Sequence, residues 1–376
     1  MRPTALLLAL VLAARPAAGQ GPYFPPRLAW ERLAPAGAGF DAARLRAAVD
    51  YARSSADTSR TDSASIANVR PTEAPYNAVV GPWVERRGPT GGMIVRGGRI
   101  VAEWGDTKAV DMTFSVTKSF LSTVAGLALD DGLIAGVDDT VARAVPIPEF
   151  TADPHNARIT WRELLTQTSE WQGTLWGKPD WADRYNPRTG RRPVLEPGSA
   201  WTYNDVRVNV LALALLHVWR RPLPQVLRER IMDPIGASPT WRWWGYRNSW
   251  VEIDGLNVQS VSGGGHWGGG LQISTEDMAR FGLLLLRDGR WQGRQLVSSR
   301  WIARATSPAA VRPGYGFLWW LNTGRTAIPA APPTAFSAQG QGGNTIYIDR
   351  EHDLVIVLRW TRGFPAVVTR ILGALR

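Results

Sequence analysis

Alternating apolar and polar positions near both ends of the chain predict β-strands. Residues 93–104 form two apolar runs separated by Gly97-Gly98, a pattern that predicts a hairpin. The same strand-like pattern recurs in three C-terminal segments, 315–321, 336–341 and 344–360. The last of these is predicted to turn back on itself at Arg350-Glu351. Because these strands lie at both ends of the sequence, we expect both termini to contribute to one antiparallel sheet.

The pattern between these strands is mostly helical. Two stretches, 160–163 and 274–277, have the Ser/Thr-x-x-Glu/Asp spacing of a helix start. Further helices are predicted at the two ends of the chain, from Asp41 to about residue 53 and over 365–375. The sequence therefore predicts an α+β fold with an antiparallel sheet, flanking helices and an inserted helical region. The helices expected in that region cover 161–167, 204–219, 223–232, 275–288 and 298–305.

Four parts are predicted along the chain. Residues 1–19 resemble a signal peptide, because Arg2 precedes a short apolar run and Ala17-Ala18-Gly19 suits cleavage before Gln20. Residues 20–90 form a lead-in with one helix, and 91–360 form the main domain, with the helical insertion at about 133–310. Residues 361–376 form a helix that packs on the sheet. This organisation predicts a secreted or periplasmic protein with no transmembrane segment.

The amino-acid composition excludes several kinds of functional site. The 376 residues include no cysteine, which excludes disulfides, thiolate metal sites and a cysteine nucleophile. The four histidines lack the spacing of a metal-binding helix, so neither a metal nor another cofactor is expected. The net charge of +11 comes mainly from scattered arginines, which are typical of a GC-rich genome. No nucleic-acid motif accompanies them, so no nucleic-acid partner is expected.

The sharpest chemical signal is Ser115-Val-Thr-Lys118, which stands just before an apolar helical pattern. A lysine three residues after a serine lies one turn further along the same helical face. Its amine can then reach the serine hydroxyl and act as a base in acyl transfer. The alternative is a solvated lysine at the start of a helix.

Three further segments follow this pair in the sequence. They are 159–169 (Ile-Thr-Trp-Arg-Glu-Leu-Leu-Thr-Gln-Thr-Ser), 197–205 (Pro-Gly-Ser-Ala-Trp-Thr-Tyr-Asn-Asp) and 268–277 (Gly-Gly-Gly-Leu-Gln-Ile-Ser-Thr-Glu-Asp). Together with the first motif they resemble the serine β-lactamase and penicillin-binding-protein superfamily, in particular its class C-like esterases, peptidases and amide hydrolases. The resemblance spans about residues 90–360. It implies a β-lactamase/transpeptidase-like fold and an acyl-enzyme on Ser115.

The resemblance also implies roles for Tyr203 and Asp205. Tyr203 takes the position of the general acid/base, which would pass the proton of Ser115 to the leaving group. A buried core tyrosine at a helix start is the alternative. Asp205 replaces the usual Asn, and we expect it to border the substrate and to orient Lys118. Its negative charge would favour the protonated form of that lysine. Which residue is the base therefore stays open.

The third motif departs further from the family pattern. Ala338-Gln339-Gly340 stands where Lys-Thr-Gly or His-x-Gly is usual, so the strand offers no cation to a substrate carboxylate. By resemblance, Gly340 borders the substrate, and the N–H groups of Ser115 and Gln341 form an oxyanion hole. Trp171, with the other tryptophans near 171–181 and 241–244, is expected to form an aromatic pocket wall. Ordinary core packing is the alternative for these tryptophans.

These features predict a secreted serine hydrolase that cleaves a small-molecule ester or amide. The missing cation favours neutral esters over substrates that are recognised by a carboxylate. One alternative is a D-Ala-D-Ala carboxypeptidase or β-lactamase, for which the fold would have to bring an arginine near the pocket. Another is an inactive binding protein on the same fold, favoured by Asp205 and the altered third motif. The natural substrate and the oligomeric state stay open.

Overall fold

The computed structural model describes residues 22–59, 86–183, 185, 186, 190, 191, 193–263 and 270–376. The predicted signal peptide at 1–19 and part of the predicted lead-in lie outside the described residues. The strands are β1 (Gly91–Arg96), β2 (Arg99–Trp104), β3 (Asp111–Met112), β4 (Thr174–Leu175), β5 (Lys178–Pro179), β6 (Tyr185–Asn186), β7 (Gly190–Arg191), β8 (Arg242–Trp243), β9 (Gly245–Ile253), β10 (Leu256–Val261), β11 (Leu271–Ile273), β12 (Arg290–Trp291), β13 (Arg294–Gln295), β14 (Trp320–Leu321), β15 (Phe336–Gly340), β16 (Asn344–Asp349) and β17 (Leu354–Arg359).

The α-helices flank these strands and fill much of the middle of the sequence. They are α1 (Ala42–Ser54), α2 (Thr117–Asp130), α3 (Val141–Ala144), α4 (Pro148–Thr151), α5 (Pro154–Ala157), α6 (Trp161–Leu165), α7 (Asp205–Trp219), α8 (Leu223–Leu227), α9 (Thr275–Leu286), α10 (Ser299–Ala305) and α11 (Phe364–Leu372). Within the described ranges, no helix is both long and apolar enough to cross a membrane.

A six-stranded sheet in the order β14-β15-β16-β17-β1-β2 joins the N-terminal and C-terminal strands. Its neighbouring strands are antiparallel, and the pairing of β1 with β17 places Gly91 opposite Arg359. Both the hairpin around Gly97-Gly98 and the antiparallel sheet built from both ends are therefore confirmed. The chain has the α+β architecture that the sequence predicts, with an antiparallel sheet and flanking helices.

The two faces of this sheet are buried by different helices. On β1, Met93 and Val95 pack in a core that includes residues of α2, α7 and α9, whereas Ile94 packs with residues of α1 and α11. This division follows from the two-residue period of a strand, which directs successive side chains to opposite faces. The larger core, between the sheet and the inserted region, brings α2 and α7 together.

Helix starts follow the predicted capping residues closely. Asp41 caps α1 by accepting from the N–H groups of Ala43 and Arg44, and Thr160 and Glu163 form a complete capping box at α6. Ser274 caps α9, but the carboxylate of Asp277 accepts from the backbone N–H and hydroxyl of Ser238. That second contact attaches the helix start to the segment that precedes β8.

The inserted region is less helical than predicted. It contains a β9–β10 hairpin, and its strands β8 and β11 form a small sheet with β3 in the order β3-β11-β8. Asp254-Gly255, both at positive φ, forms the hairpin turn. This Asp-Gly dipeptide is a strong hairpin signal that the sequence reasoning passed over.

Two other predicted elements are shorter than expected. The strand predicted over 315–321 is reduced to β14, because Gly316 N–H donates to Trp319 O and Leu318 takes a positive φ of 62°. The helix predicted over 223–232 changes at residue 228 from α8 to a π-type turn.

Candidate active site

Ser115 lies in a 3-10 turn, Phe114–Val116, that leads directly into α2. Thr113 holds the start of this turn, since its N–H and its hydroxyl both donate to Leu271 O at 3.1 Å. Phe114 has a φ of 53°, which non-glycine residues rarely adopt, and its ring packs edge-on against Trp360. Tertiary contacts thus fix an unfavourable backbone conformation just before the serine.

Lys118 lies one helical turn beyond Ser115 and points back toward it. Its Nζ donates to Ser115 Oγ at 2.8 Å and to Asp205 Oδ1 at 2.9 Å. The Lys118 side chain is 2% exposed and that of Asp205 is 18% exposed, whereas Ser115 is partly exposed. The hydroxyl is therefore accessible to a substrate, while the amine beside it is shielded from water.

Tyr203 completes this group from the turn before α7. Lys118 Nζ lies 4.6 Å from the centroid of the Tyr203 ring. The Trp320 ring stacks on the Tyr203 ring with 5.8 Å between ring centroids, and Trp201 and Tyr315 also contact Tyr203. The structure therefore brings Ser115, Lys118, Tyr203 and Asp205 together, as the sequence predicts.

The aromatic residues beside Tyr203 differ from those predicted. They are Trp201, Tyr315 and Trp320, which the sequence reasoning did not select. Burial raises the pKa of Tyr315 well above its usual value, so its phenol stays neutral and the cluster gains no charge from it. Trp201 is two residues before Tyr203 in the second motif, which is the signal that could have indicated it.

Trp171, predicted to contact substrate, requires a correction. It is 2% exposed, belongs to the main core, and donates its indole N–H to Glu149 O at 2.8 Å. A side chain with both its apolar surface and its polar atom satisfied inside the core offers little to a ligand. Its burial argues against the predicted substrate contact and favours the core-packing alternative.

The N-terminus of α7 is held by a buried polar network that positions Tyr203 and Asp205. Asn204 caps the helix by accepting from Arg207 N–H at 3.1 Å. Its own N–H donates to Gln167 Oε1, and its side-chain amide donates to Asp180 O. Asp205 therefore lies in the first turn of α7, where the helix dipole stabilises a carboxylate.

Glu170 has a positive φ of 51°, in a backbone region that glycine adopts more easily than other residues. Its carboxylate accepts from Arg207 Nη1 at 2.7 Å, and the two side chains are 0% and 1% exposed. It also accepts from Thr202 Oγ1 and Leu195 N–H. This buried pair, missed by the sequence reasoning, ties the segment before Tyr203 to α7. The sequence signal for this pair was Arg207, an arginine in a mostly apolar helix.

The third motif lies on β15, against the turn that carries Ser115. A Cβ atom added to Gly340 would lie 2.1 Å from Thr113 O and 3.1 Å from Ser115 N, so only glycine fits there. Gln341 follows it in an exposed 3-10 turn, and its carbonyl accepts from the Asn344 side chain at 2.8 Å. The motif backbone is thus adjacent to Ser115, while Ala338 is buried in the core.

The outer edge of β15 is only partly covered. The register pairs β14 with Phe336 and Ser337 alone, so no described strand pairs with residues 338–340 on that edge. Backbone groups at such an edge can hydrogen-bond an extended ligand. In the described part of the chain, no group of three or more His, Asp or Glu side chains is placed to hold a metal ion.

Comparison with known proteins links these features to one family. Residues 84–374 match the family model described as Beta-lactamase. The crystal structure of a family VIII carboxylesterase has a TM-score of 0.57 and 18% identity, covering 89% of this chain and 96% of that chain. A penicillin-binding-protein homologue from Caulobacter crescentus has a TM-score of 0.55 and 19% identity, covering 75% and 90%. An uncharacterized protein of Alkalihalophilus pseudofirmus is 24% identical over 273 residues, which are 65% of this chain and 71% of that protein.

Gly340→Ala tests the contact between β15 and Ser115. The added methyl group would overlap Thr113 O, so the turn must move, and a displacement near 1 Å at a reacting group costs on the order of 10²-fold in rate. We expect kcat/KM to fall by about that factor for any ester that the wild-type protein hydrolyses. Gly37→Ala, with no contact under 3.4 Å, is the matched control. An unchanged kcat/KM in Gly340→Ala would show that Ser115 does not depend on this contact.

Asp205→Ala tests the pairing of Lys118. Removing the carboxylate leaves a buried ammonium without its charged partner, so we expect the free energy of unfolding to fall by about 1–3 kcal/mol. Asp205→Asn keeps an oxygen acceptor and should recover most of that loss. Urea unfolding of the three proteins measures this difference. Equal stability of wild-type protein and Asp205→Ala would contradict the role given to this pair.

Proposed function

The chain belongs to the Beta-lactamase family, whose members are serine hydrolases, and we propose that it cleaves an ester or amide through an acyl-enzyme on Ser115. The observation that carries the proposal is the 2.8 Å contact between Lys118 Nζ and Ser115 Oγ. An accessible hydroxyl beside a shielded amine is the arrangement that an activated serine nucleophile requires.

In the proposed acylation step, Ser115 Oγ attacks the substrate carbonyl carbon. The neutral amine form of Lys118 accepts the hydroxyl proton, and a proton passes from it through the Tyr203 hydroxyl to the oxygen or nitrogen of the leaving group. Lys118 Nζ supports this route, because it contacts Ser115 Oγ and also lies 4.6 Å from the centroid of the Tyr203 ring. The bond from the carbonyl carbon to the leaving group then breaks.

The developing oxyanion is assigned to backbone N–H groups of Ser115 and Gln341. Support for this assignment comes from Gly340, whose fit against Ser115 N brings the end of β15 beside the serine turn. Preorganised donors of this kind contribute on the order of 10²–10³-fold in rate. Water then attacks the acyl-enzyme, and the same groups return the proton to Ser115.

An ester is the favoured substrate within this proposal. The third-motif strand carries the buried Ala338 in place of a cation, which weakens recognition of a carboxylate next to the scissile bond. The carboxylesterase with a similar fold is consistent with ester chemistry on this scaffold. The inactive-protein alternative has little support, because Lys118 is oriented toward Ser115 in spite of the Asp205 replacement.

We also propose export, on the pattern of residues 1–19. Protein recovered from the periplasm or medium of an expressing bacterium should then begin at Gln20, since Ala17-Ala18-Gly19 offers small residues to the signal peptidase. N-terminal sequencing measures this directly. Recovery of the protein only from the cytoplasm, with Met1 or Arg2 at its N-terminus, would contradict export.

Ser115→Ala and Lys118→Ala test the mechanism. We expect Ser115→Ala to abolish covalent labelling by a fluorophosphonate and to abolish ester turnover, because the attacking oxygen is absent. Lys118→Ala should lose on the order of 10²–10⁴-fold in kcat, as for a proton-transfer group. Circular dichroism controls for folding, and Lys108→Ala, an exposed lysine elsewhere, is the matched control. Ester hydrolysis that persists in Ser115→Ala would reject the acyl-enzyme.

A further inference from the structure

The proposed oxyanion hole takes one N–H donor from the serine turn and one from the turn after β15. Each donor has a neighbour in an unusual backbone conformation: Phe114, before Ser115, has a φ of 53°, and Gly342, after Gln341, has a φ of 77°. Non-glycine residues rarely adopt the first of these values, so tertiary contacts must hold the serine turn in place. The separation of the two donors therefore depends on what these two neighbours pack against.

Both neighbours pack against one buried indole, that of Trp360. The Phe114 ring meets it edge-on, with 5.8 Å between ring centroids. On the other segment, a Cβ atom added to Gly342 would lie 2.4 Å from Trp360 Cε3 and Cζ3, so the backbone of this glycine packs directly on the ring. Trp360 is 1% exposed. One side chain therefore supports the neighbours of both N–H donors.

The Trp360 ring is itself held on more than one side. Its indole N–H donates to Asp111 Oδ2 at 2.8 Å, and the same carboxylate accepts from the N–H groups of Met112 and Gly88. The Arg87 guanidinium lies 4.3 Å from the centroid of the ring. A ring whose polar atom is bonded and whose face is covered has little freedom to turn. The indole can therefore act as a fixed spacer between the two segments.

The residue after Trp360 extends this contact along the turn after β15. A Cβ atom added to Gly343 would lie 1.9 Å from Thr361 O, so this part of the turn packs against the backbone that follows β17. The buried Asn344 donates its side-chain amide to Gln341 O at 2.8 Å. The turn that carries Gln341 N–H therefore rests on the segment that begins with Trp360.

We propose that Trp360 is a positioning residue of the oxyanion hole, which sets the separation of the Ser115 and Gln341 N–H groups through Phe114 and Gly342. The proposal rests on the proposed function and adds to it a residue that lies outside all three motifs. Trp360 touches neither the substrate nor the reacting atoms. It acts by keeping two donors preorganised, and such donors lower the barrier because they need no reorientation as the charge develops.

Trp360→Leu and Trp360→Phe test the ring. We expect Trp360→Leu to lower kcat/KM for 4-nitrophenyl butyrate by about 10- to 100-fold, because a shift near 1 Å at a reacting position has an effect of that size. Trp360→Phe keeps a ring between the two segments and should recover most of the loss. Trp291→Leu, which removes a buried tryptophan that packs on Phe24, is the matched control for lost core packing. Rates are expressed per Ser115 labelled to completion by a fluorophosphonate, which excludes unfolded protein.

Phenylboronic acid separates positioning from a purely structural role. Its boron bonds to the serine Oγ and forms a tetrahedral anion that resembles the acylation intermediate. We expect its inhibition constant to rise in Trp360→Leu by about the factor by which kcat/KM falls, because both depend on the same two N–H donors. A variant that is only less stable would keep the wild-type inhibition constant in its folded fraction.

Gly342→Ala probes the same contact from the other side and keeps the proposal testable if Trp360→Leu does not fold. Its methyl group would overlap the indole, whereas Gly293→Ala places a methyl group at a similar φ of 82° with nothing within 4 Å. The second variant therefore controls for backbone strain. We expect Gly342→Ala to lower kcat/KM by about 10-fold or more, and Gly293→Ala to change it by less than about twofold.

Several outcomes would overturn the proposal. They are an unchanged kcat/KM in both Trp360→Leu and Gly342→Ala, a loss of kcat/KM without a rise in the inhibition constant, and equal losses in Trp291→Leu or Gly293→Ala. If the wild-type protein hydrolyses the ester and Ser115 is labelled, the proposed function stands whatever these variants do. If the wild-type protein neither hydrolyses 4-nitrophenyl butyrate nor is labelled at Ser115, both the proposed function and the role of Trp360 are overturned.

Discussion

The buried ammonium of Lys118 is the constraint on which the arrangement of the site depends. A charge removed from water is costly unless polar partners surround it. Here those partners come from separate elements: Ser115 from the 3-10 turn, Asp205 from the first turn of α7, and the ring of Tyr203 from the segment before that helix. Lys118 Nζ has both of these hydrogen-bond partners only when α2 and α7 pack together. Core packing and site assembly are therefore one event in this fold.

The sheet adds a second, independent constraint on Ser115. Asp111 accepts the indole N–H of Trp360 at 2.8 Å, so the strand before the serine is tied to the residue after β17. Gly340 then brings β15 against the backbone of the serine turn. The helices thus position the side chains around Ser115, while the sheet positions the backbone beside it. This division explains how the third motif can lose its cationic side chain and still keep its place next to Ser115.

The sequence predicts what depends on local period and spacing. Ser115 and Lys118 are one helical turn apart, and the strands alternate, so both could be recognised before any fold was known. The Glu170–Arg207 pair and the aromatic cluster around Tyr203 could not be predicted, because each joins segments that only tertiary packing brings together. Trp171 shows the converse error. Trp171 follows a motif in the sequence and was therefore predicted to lie in the pocket wall, but its side chain is packed in the main core.

The pairing of β1 with β17 has a consequence for how the protein folds. Gly91 is opposite Arg359, so the centre of the sheet closes only after nearly the whole chain is available. Contacts between such distant residues slow folding, because the chain between them loses conformational entropy before the contacts that offset this loss have formed. A chain still emerging from the ribosome lacks β15, β16 and β17, and with them the backbone beside Ser115. The surroundings of Ser115 are therefore completed late in synthesis, once the C-terminal strands have joined the N-terminal hairpin.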